Sequence, residues 1–297
     1  MTRAMQRSNF LTPAAFRRRS DLSGRLTSGW RWMALGAITG LFLATLFHLP
    51  AAWLAHVLAQ STHGQVQLQA ARGSVWQGSG QLLLTGGTGS QDALALPGRV
   101  AWHMRLSMLG LQWPQLTLKV QADCCMTQAL QVHMTPLNGF RTWQWQVQDH
   151  QSEWPAQWLG GLGAPWNTMQ TQGRLRLVTQ NLVLTLNTAQ APQAQTLQLQ
   201  GHLHLTAQDM SSKLSTLNPM GSYALSLTGN AERQAAPQLS LRTLSGSLLL
   251  SGQGQWQGDH FQFRGEASAV PEHAAALSNL LNIIGRRQGA RSLLSLG

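Results

Sequence analysis

Along most of the chain, apolar and polar residues take turns. Val66, Leu68 and Ala70 alternate with Gln65, Gln67 and Gln69, and Val100, Trp102, Met104, Leu106 and Met108 alternate with Ala101, His103, Arg105 and Ser107. The rhythm returns at Leu116, Leu118, Val120 and Ala122, at Trp143, Trp145 and Val147, and at Leu182, Leu184 and Leu186. It runs on through Leu197 and Leu199, Leu203 and Leu205, Tyr223, Leu225 and Leu227, Leu239 and Leu241, Leu248 and Leu250, and closes at Phe261 and Phe263. A period of two places the apolar members on one face of an extended strand. Gly, Pro and Asn between the runs supply turns. The pattern predicts roughly ten or more strands, mostly antiparallel, each with one apolar face. A single sheet of that width must curl, split or be covered.

Two segments break the alternation. Ser152 to Leu162 carries Trp154, Trp158, Leu159 and Leu162 at helical spacing. Here Ser152 is placed to cap a short central helix, Pro155 suits its first turn, and Gly160-Gly161-Leu162-Gly163 ends it. The second, Pro271 to Arg287, has Leu277, Leu280, Leu281 and Ile284 on one face. With Glu272 early and Arg286 and Arg287 late, it has the charge order a helix dipole favours. A helix over 271–287 is expected to cover the sheet.

The N-terminal region has a different pattern. No Asp, Glu, Lys or Arg occurs from Trp32 to Ala71, and Trp32 to Leu49 is rich in Leu, Ala, Phe and Ile. About 20 such residues cross a bilayer as a helix. Upstream stand Arg3, Arg7, Arg17, Arg18, Arg19, Arg25 and Arg31, opposed only by Asp21. Cationic flanks stay on the cytoplasmic side, so the chain beyond the span is expected across the membrane. The long basic region, and the lack of a clean small-residue cleavage site, favour an uncleaved anchor over a secretory signal. A buried core helix would not need that arginine block. Residues 51–59 read as an amphipathic continuation at the membrane surface.

The expected organisation is a cytoplasmic tail over 1–31, a transmembrane helix over 32–49, a membrane-proximal linker over 50–64 and a β domain over 65–297. Residues 65–150 and 170–268 have similar size and rhythm. A weak echo links GSVWQGSGQL from Gly73 with SGQGQWQGDHF from Ser251. A duplicated β unit is one reading of this, and chance similarity of glycine-rich hairpins is the other.

Composition narrows the function. Only 10% of residues are charged, while 43% are apolar and 12 are tryptophan, which excludes a disordered chain. Of the net +11, +6 belongs to residues 1–31 and +5 to the rest. The high charge is therefore largely topological, and nucleic acid is not an expected partner. Cys124 and Cys125 are the only cysteines. On a strand, one would be buried and one exposed; a vicinal disulfide and an intermolecular bridge are the other readings. No zinc ligand set accompanies them. His202 and His204 share a strand face without a third ligand nearby in sequence. Gly252-Gln253-Gly254 is flanked by strands, whereas a phosphate cradle opens a helix. No nucleophile elbow occurs, and the acidic residues are scattered. No catalytic, metal or cofactor residues are expected, and the chain reads as a non-enzyme. An apolar stripe left uncovered would make a binding groove for lipid or another amphiphile.

Four stretches together resemble the type II secretion system protein N family. The first is LPAAWL from Leu49 with GSVWQG, which includes Gly73, Trp76 and Gly78. The second is LGAPWNTMQTQGRLRL from Leu162, with Gly163, Pro165, Trp166, Asn167 and Thr168. The third is SSKLSTLNPMGSYALSLTG from Ser211, with Gly221 and Tyr223. The fourth runs from Leu241 to Leu294, with Gly246, Trp256, Gly265 and the GRRQG run of Gly285, Arg286 and Arg287. Thr171-Gln172-Gly173 stands where the family would place a proline. The resemblance implies a non-catalytic accessory subunit of the machine that moves folded proteins from the periplasm to the exterior of Gram-negative bacteria. It implies a single pass through the inner membrane, a periplasmic β domain, and other secretion subunits as partners. It implies no cofactor and no catalytic residue.

Overall fold

The computed structural model describes residues 26–87, 89–90, 92–108, 114–187, 197–230, 235–257 and 260–297. The chain forms two compact units, Met1–His48 and Leu49–Gly297. Arg3, Arg7, Arg17, Arg18, Arg19 and Arg25 of the expected tail lie outside the described residues.

The described part of the first unit is one helix, α1 (Leu26–Phe47). Its stretch Trp30–Phe47 is long and apolar enough to cross a membrane, and none of it is buried against protein. Thr39 and Thr45 donate their hydroxyls to the carbonyls of Leu35 and Phe42 at 2.7 and 2.8 Å. Both polar groups are thus satisfied within the helix, as a lipid solvent requires. The helix starts before the expected span of 32–49 and ends before Leu49, whose position ahead of Pro50 disfavours helical backbone.

The second unit opens with α2 (Ala51–Ser61), which packs on β1 (Val66–Gly73). Then come β2 (Gln77–Thr85), β3 (Ala93–Ala95), β4 (Val100–Met108), β5 (Pro114–Ala122), β6 (Leu130–Leu137), β7 (Thr142–Val147) and β8 (His150–Pro155). A 3-10 helix (Ala156–Leu162) and α3 (Trp166–Met169) interrupt the strands. The chain returns to β9 (Gln172–Asn187), β10 (Leu197–Ser211), β11 (Gly221–Asn230), β12 (Ala235–Gly246), β13 (Leu248–Gln257) and β14 (His260–Ala269). A 3-10 turn (Pro271–His273) leads into α4 (Ala274–Ile284), then β15 (Arg286–Gln288) and β16 (Arg291–Leu296).

Among the described residues, all sixteen strands join one antiparallel sheet, nearly in chain order, with β16 inserted between β14 and β15. The ladder passes from β7 to β9 without a break, so the residues expected as two halves share one sheet. Collinear β7 and β8 both pair with β9. Where they meet, the apolar parity changes on both strands. Val147 pairs with Leu182, but Ser152 pairs with Leu177. The switch is made at Asn181, which has φ 48° and whose N–H donates to the Asp149 carboxylate at 2.6 Å. Gly201 of β10 lies beside it with φ 96°, and a side chain there would strike the Asn181 carbonyl. A second irregularity at Asp209 (φ 52°) turns Met210 into the core. Such bulges bend a wide sheet while keeping one face apolar.

The helical segments cover one end of that face. Leu277, Leu280 and Leu281 of α4 are fully buried with Leu175, Met210, Met220, Tyr223, Leu248 and Ala267. Trp154 belongs to this cluster and also to a second one of Leu96, Val100, Ala122 and Cys125. The buried Ser292 hydroxyl donates to the Leu281 carbonyl at 2.6 Å and ties α4 to β16.

Three expectations need correction. Ser152 does not cap a helix; it lies in β8, and its hydroxyl accepts the Trp154 indole N–H at 2.8 Å. The central helix starts four residues later and is a 3-10 helix, ended by Gly163 at φ 79°. Its three glycines, Gly160, Gly161 and Gly163, disfavour a longer α-helix. Arg286 and Arg287 are not in the last turn of the C-terminal helix. The chain becomes extended at Gly285, because β16 pairs there and closes the hairpin through Gly289. β15 is short and exposes both arginines, a combination that blunts a sheet edge. Finally, Cys124 and Cys125 occupy a turn after β5, not a strand. Cys125 is buried and Cys124 exposed, with the two sulfurs bonded.

Candidate functional site

The residues of most interest form the apolar face of the sheet. Cross-strand neighbours line it continuously: Leu106 with Leu116, Leu116 with Met134, Met134 with Trp145, Trp145 with Leu184, Leu184 with Leu199. It continues from Leu203 to Leu227 and on to Leu239. Opposed apolar pairs of this kind are what stabilises a sheet laterally. At the end that carries Val100, Ala122, Trp154 and Tyr223, the 3-10 helix, α3 and α4 bury it. Toward the other end, Met104, Leu116, Met134, Trp143 and Leu186 are only half-buried. At its tips Leu106 is 60% exposed, Met108 73% and Phe140 51%. Phe140 leans on Trp143 with ring centroids 6.0 Å apart.

The GSVWQG run is the turn between β1 and β2. Gly73 pairs with Gly78, and Gly73 has φ 93°. The Trp102 indole packs against Gly78, where any side chain would collide with it, and donates to the Val75 carbonyl at 3.0 Å. The Trp76 carbonyl accepts from Met104 N–H at 2.6 Å. On its other side the turn holds the start of the unit. Val75 N–H donates to the Leu49 carbonyl at 2.9 Å, and Pro50 bridges to Ser74. Thus the LPAAWL segment and GSVWQG meet in space.

Gly163 approaches Gly86 closely, after which the Ala164–Pro165 peptide is cis. Trp166, Asn167 and Thr168 open α3, and the Asn167 amide donates to Asp92 at 2.7 Å beside a cleft of about 460 Å³. Gly221 and Gly246 face each other in β11 and β12, where a side chain on Gly246 would meet the Gly221 backbone. Glycines 252, 254 and 265 leave room for the Phe263 ring, and Trp256 packs on Phe261 at 4.6 Å. These motif residues serve as turns and packing points, and Trp166 and Tyr223 share the cluster under α4.

Chemically reactive groups are not assembled either. Among the described residues, no three His, Cys, Asp or Glu side chains are placed to hold a metal. His202 and His204 stack on the polar face at 5.9 Å, each paired with a hydroxyl, Thr228 and Ser226. Burial lowers the His150 pKa below 6.5, and its Nε2 has no partner among the described residues. Burial also pushes the Tyr223 phenol well above its ordinary value, with its hydroxyl likewise unpartnered. Desolvation is the cause of both shifts, so neither carries the charged-partner signature of an acid–base pair. The Asp149–Asn181 and Asp92–Asn167 contacts escaped the sequence reading, since they join residues 32 and 75 positions apart. Their only signal was the turn-forming character of Asp and Asn.

A sequence model of the type II secretion system protein N family matches residues 64–293. The chain belongs to that family. No curated protein and no solved structure matches it. As a member of the protein N family, it is an accessory component of type II secretion. The matched region contains the whole sheet except the last residues of β16, so the family's sequence signature is the sheet, its turns and its covering helix. α1 and α2 both fall before the match.

Proposed function

We propose that the chain is a single-pass inner-membrane subunit whose β domain stands in the periplasm and scaffolds other secretion components. The observation that carries this is α1, an apolar helix whose span Trp30–Phe47 is unburied among the described residues and has an arginine block before it in sequence. The helix restricts the subunit to the membrane plane, and the sheet supplies a rigid surface. The role is non-catalytic, and family membership makes the remaining secretion subunits the natural partners.

Mild solubilisation followed by capture of the full chain tests the scaffold role. Recovery of the inner-membrane platform components, with impaired export in a strain lacking the chain, is the expected result. An isolated chain together with unimpaired export would refute it. The half-open apolar face favours a second reading, a tethered β groove that carries a lipid or another amphiphile. In that case, mass spectrometry of the purified chain would detect a stoichiometric bound amphiphile.

A further inference from the structure

The open end of the apolar face and Leu49, where the second unit begins, lie at the same end of the sheet. The β1–β2 turn marks that end. It holds Leu49 and Pro50 through Val75 and Ser74. The membrane-crossing helix stops at Phe47, two residues before Leu49. A fully extended chain covers at most about 7 Å in that distance. When α1 spans the bilayer, chain connectivity alone keeps Leu49 within that distance of the end of the span. β4 passes the same turn at Met104 and continues to Met108. Four strand residues add about 13 Å. The β6–β7 turn with Phe140 extends past the level of Met108, since Met108 pairs with Pro114 and Leu116 with Met134. The strand tips thus extend beyond the β1–β2 turn.

Their chemistry suits the place. Leu106, Met108 and Phe140 are exposed hydrophobics. Exposed Arg72 precedes the β1–β2 turn, and exposed Arg105 and Arg141 are the chain neighbours of Leu106 and Phe140. The described acidic residues nearest this region, Asp92, Asp123 and Asp149, lie at the covered end or mid-sheet. On α2, which begins two residues after Leu49, Trp53 and Val57 face outward. Exposed apolar tips, cations and a tryptophan at one end of a domain are the makeup of a surface that sits among anionic phospholipid headgroups.

We propose that this end of the domain, with Phe140, Leu106 and Met108 at its tips and Trp53 beside the tether, rests on the bilayer that α1 crosses. The apolar face then has two covers, α4 at one end and lipid at the other. The proposal rests on the membrane-tethered reading above.

The test uses the full wild-type chain in vesicles of phosphatidylethanolamine and phosphatidylglycerol, doped with a phospholipid carrying a diazirine near the acyl carbonyl. After irradiation, adducts are mapped by peptide mass spectrometry. Labelling of peptides with Met108, Phe140 and Trp53 should exceed several-fold that of peptides with Gln157 or Lys213 at the covered end. Adducts confined to α1 would overturn this proposal and leave the tether intact. No adducts on α1 would overturn the tether itself. Cross-links from the Met108 and Phe140 peptides to a second copy, in place of lipid adducts, would assign the patch to self-association and also overturn the proposal.

Discussion

The two ends of the apolar face share one sequence pattern and differ in what covers them. At the covered end, Leu175, Tyr223, Leu248 and Ala267 meet Leu277, Leu280 and Leu281 of α4. At the open end, Leu106, Met108 and Phe140 stay exposed, and no helix comparable to α4 lies over them among the described residues. Period-two alternation fixes which face is apolar, because it follows from strand geometry alone. It is blind to the cover, which depends on where distant helices land. The difference separates residues that hold the fold from those exposed at the surface.

Substitutions at the two ends should behave unlike each other. Leu280→Ala empties a fully buried position and should cost about 2–5 kcal/mol, read from denaturant unfolding of the detergent-solubilised chain. Met108→Ala should change stability by no more than about 0.5 kcal/mol. Equal losses would erase the distinction between the ends. Gly201→Ala lies between them, where the two parts of the sheet switch parity. Backbone strain at its positive φ should cost about 1–3 kcal/mol, and contact with the Asn181 carbonyl would add to it. A smaller loss arises at Ser292→Ala, which strands the Leu281 carbonyl and should cost about 1–3 kcal/mol in the same assay. If Ser292→Ala were silent, the tie between α4 and β16 would not be stabilising the cover.

The smallest effect is a pH dependence at His150. Its pKa is lowered in the folded state, so the unfolded chain binds the proton more readily. Stability is therefore complete above 6.5 and falls as the pH drops from there to the depressed value, below which the loss levels off. His150→Gln should flatten the stability profile in that window.

Much of this architecture was legible in the sequence. The alternating runs predicted the sheet, the charge-free run predicted α1, and the apolar stripe of Leu277, Leu280, Leu281 and Ile284 predicted α4. What was hidden was hidden for physical reasons. Trp154 and Trp158 have helical spacing, yet Trp154 lies in a strand and stacks on Trp158 from the following 3-10 helix, with centroids 5.5 Å apart. The same four-residue interval suits both arrangements. Arg286 and Arg287 fit a helix terminus until Arg291 to Leu296 are known to pair back as β16. The parity switch needs Asp149 and Asn181 together, and neither residue alone signals a bulge. For the candidate surface, the sequence showed which residues are apolar but not that Leu106, Met108 and Phe140 would remain uncovered.

The claim beneath all of this is that α1 leaves the sheet outside the cytoplasm. The direct measurement is a paired fusion after Gly297, with alkaline phosphatase, which folds only after export, and with a reporter active only in the cytoplasm. The account requires the phosphatase fusion to be active and its counterpart silent. Activity of the cytoplasmic reporter with a silent phosphatase would contradict it.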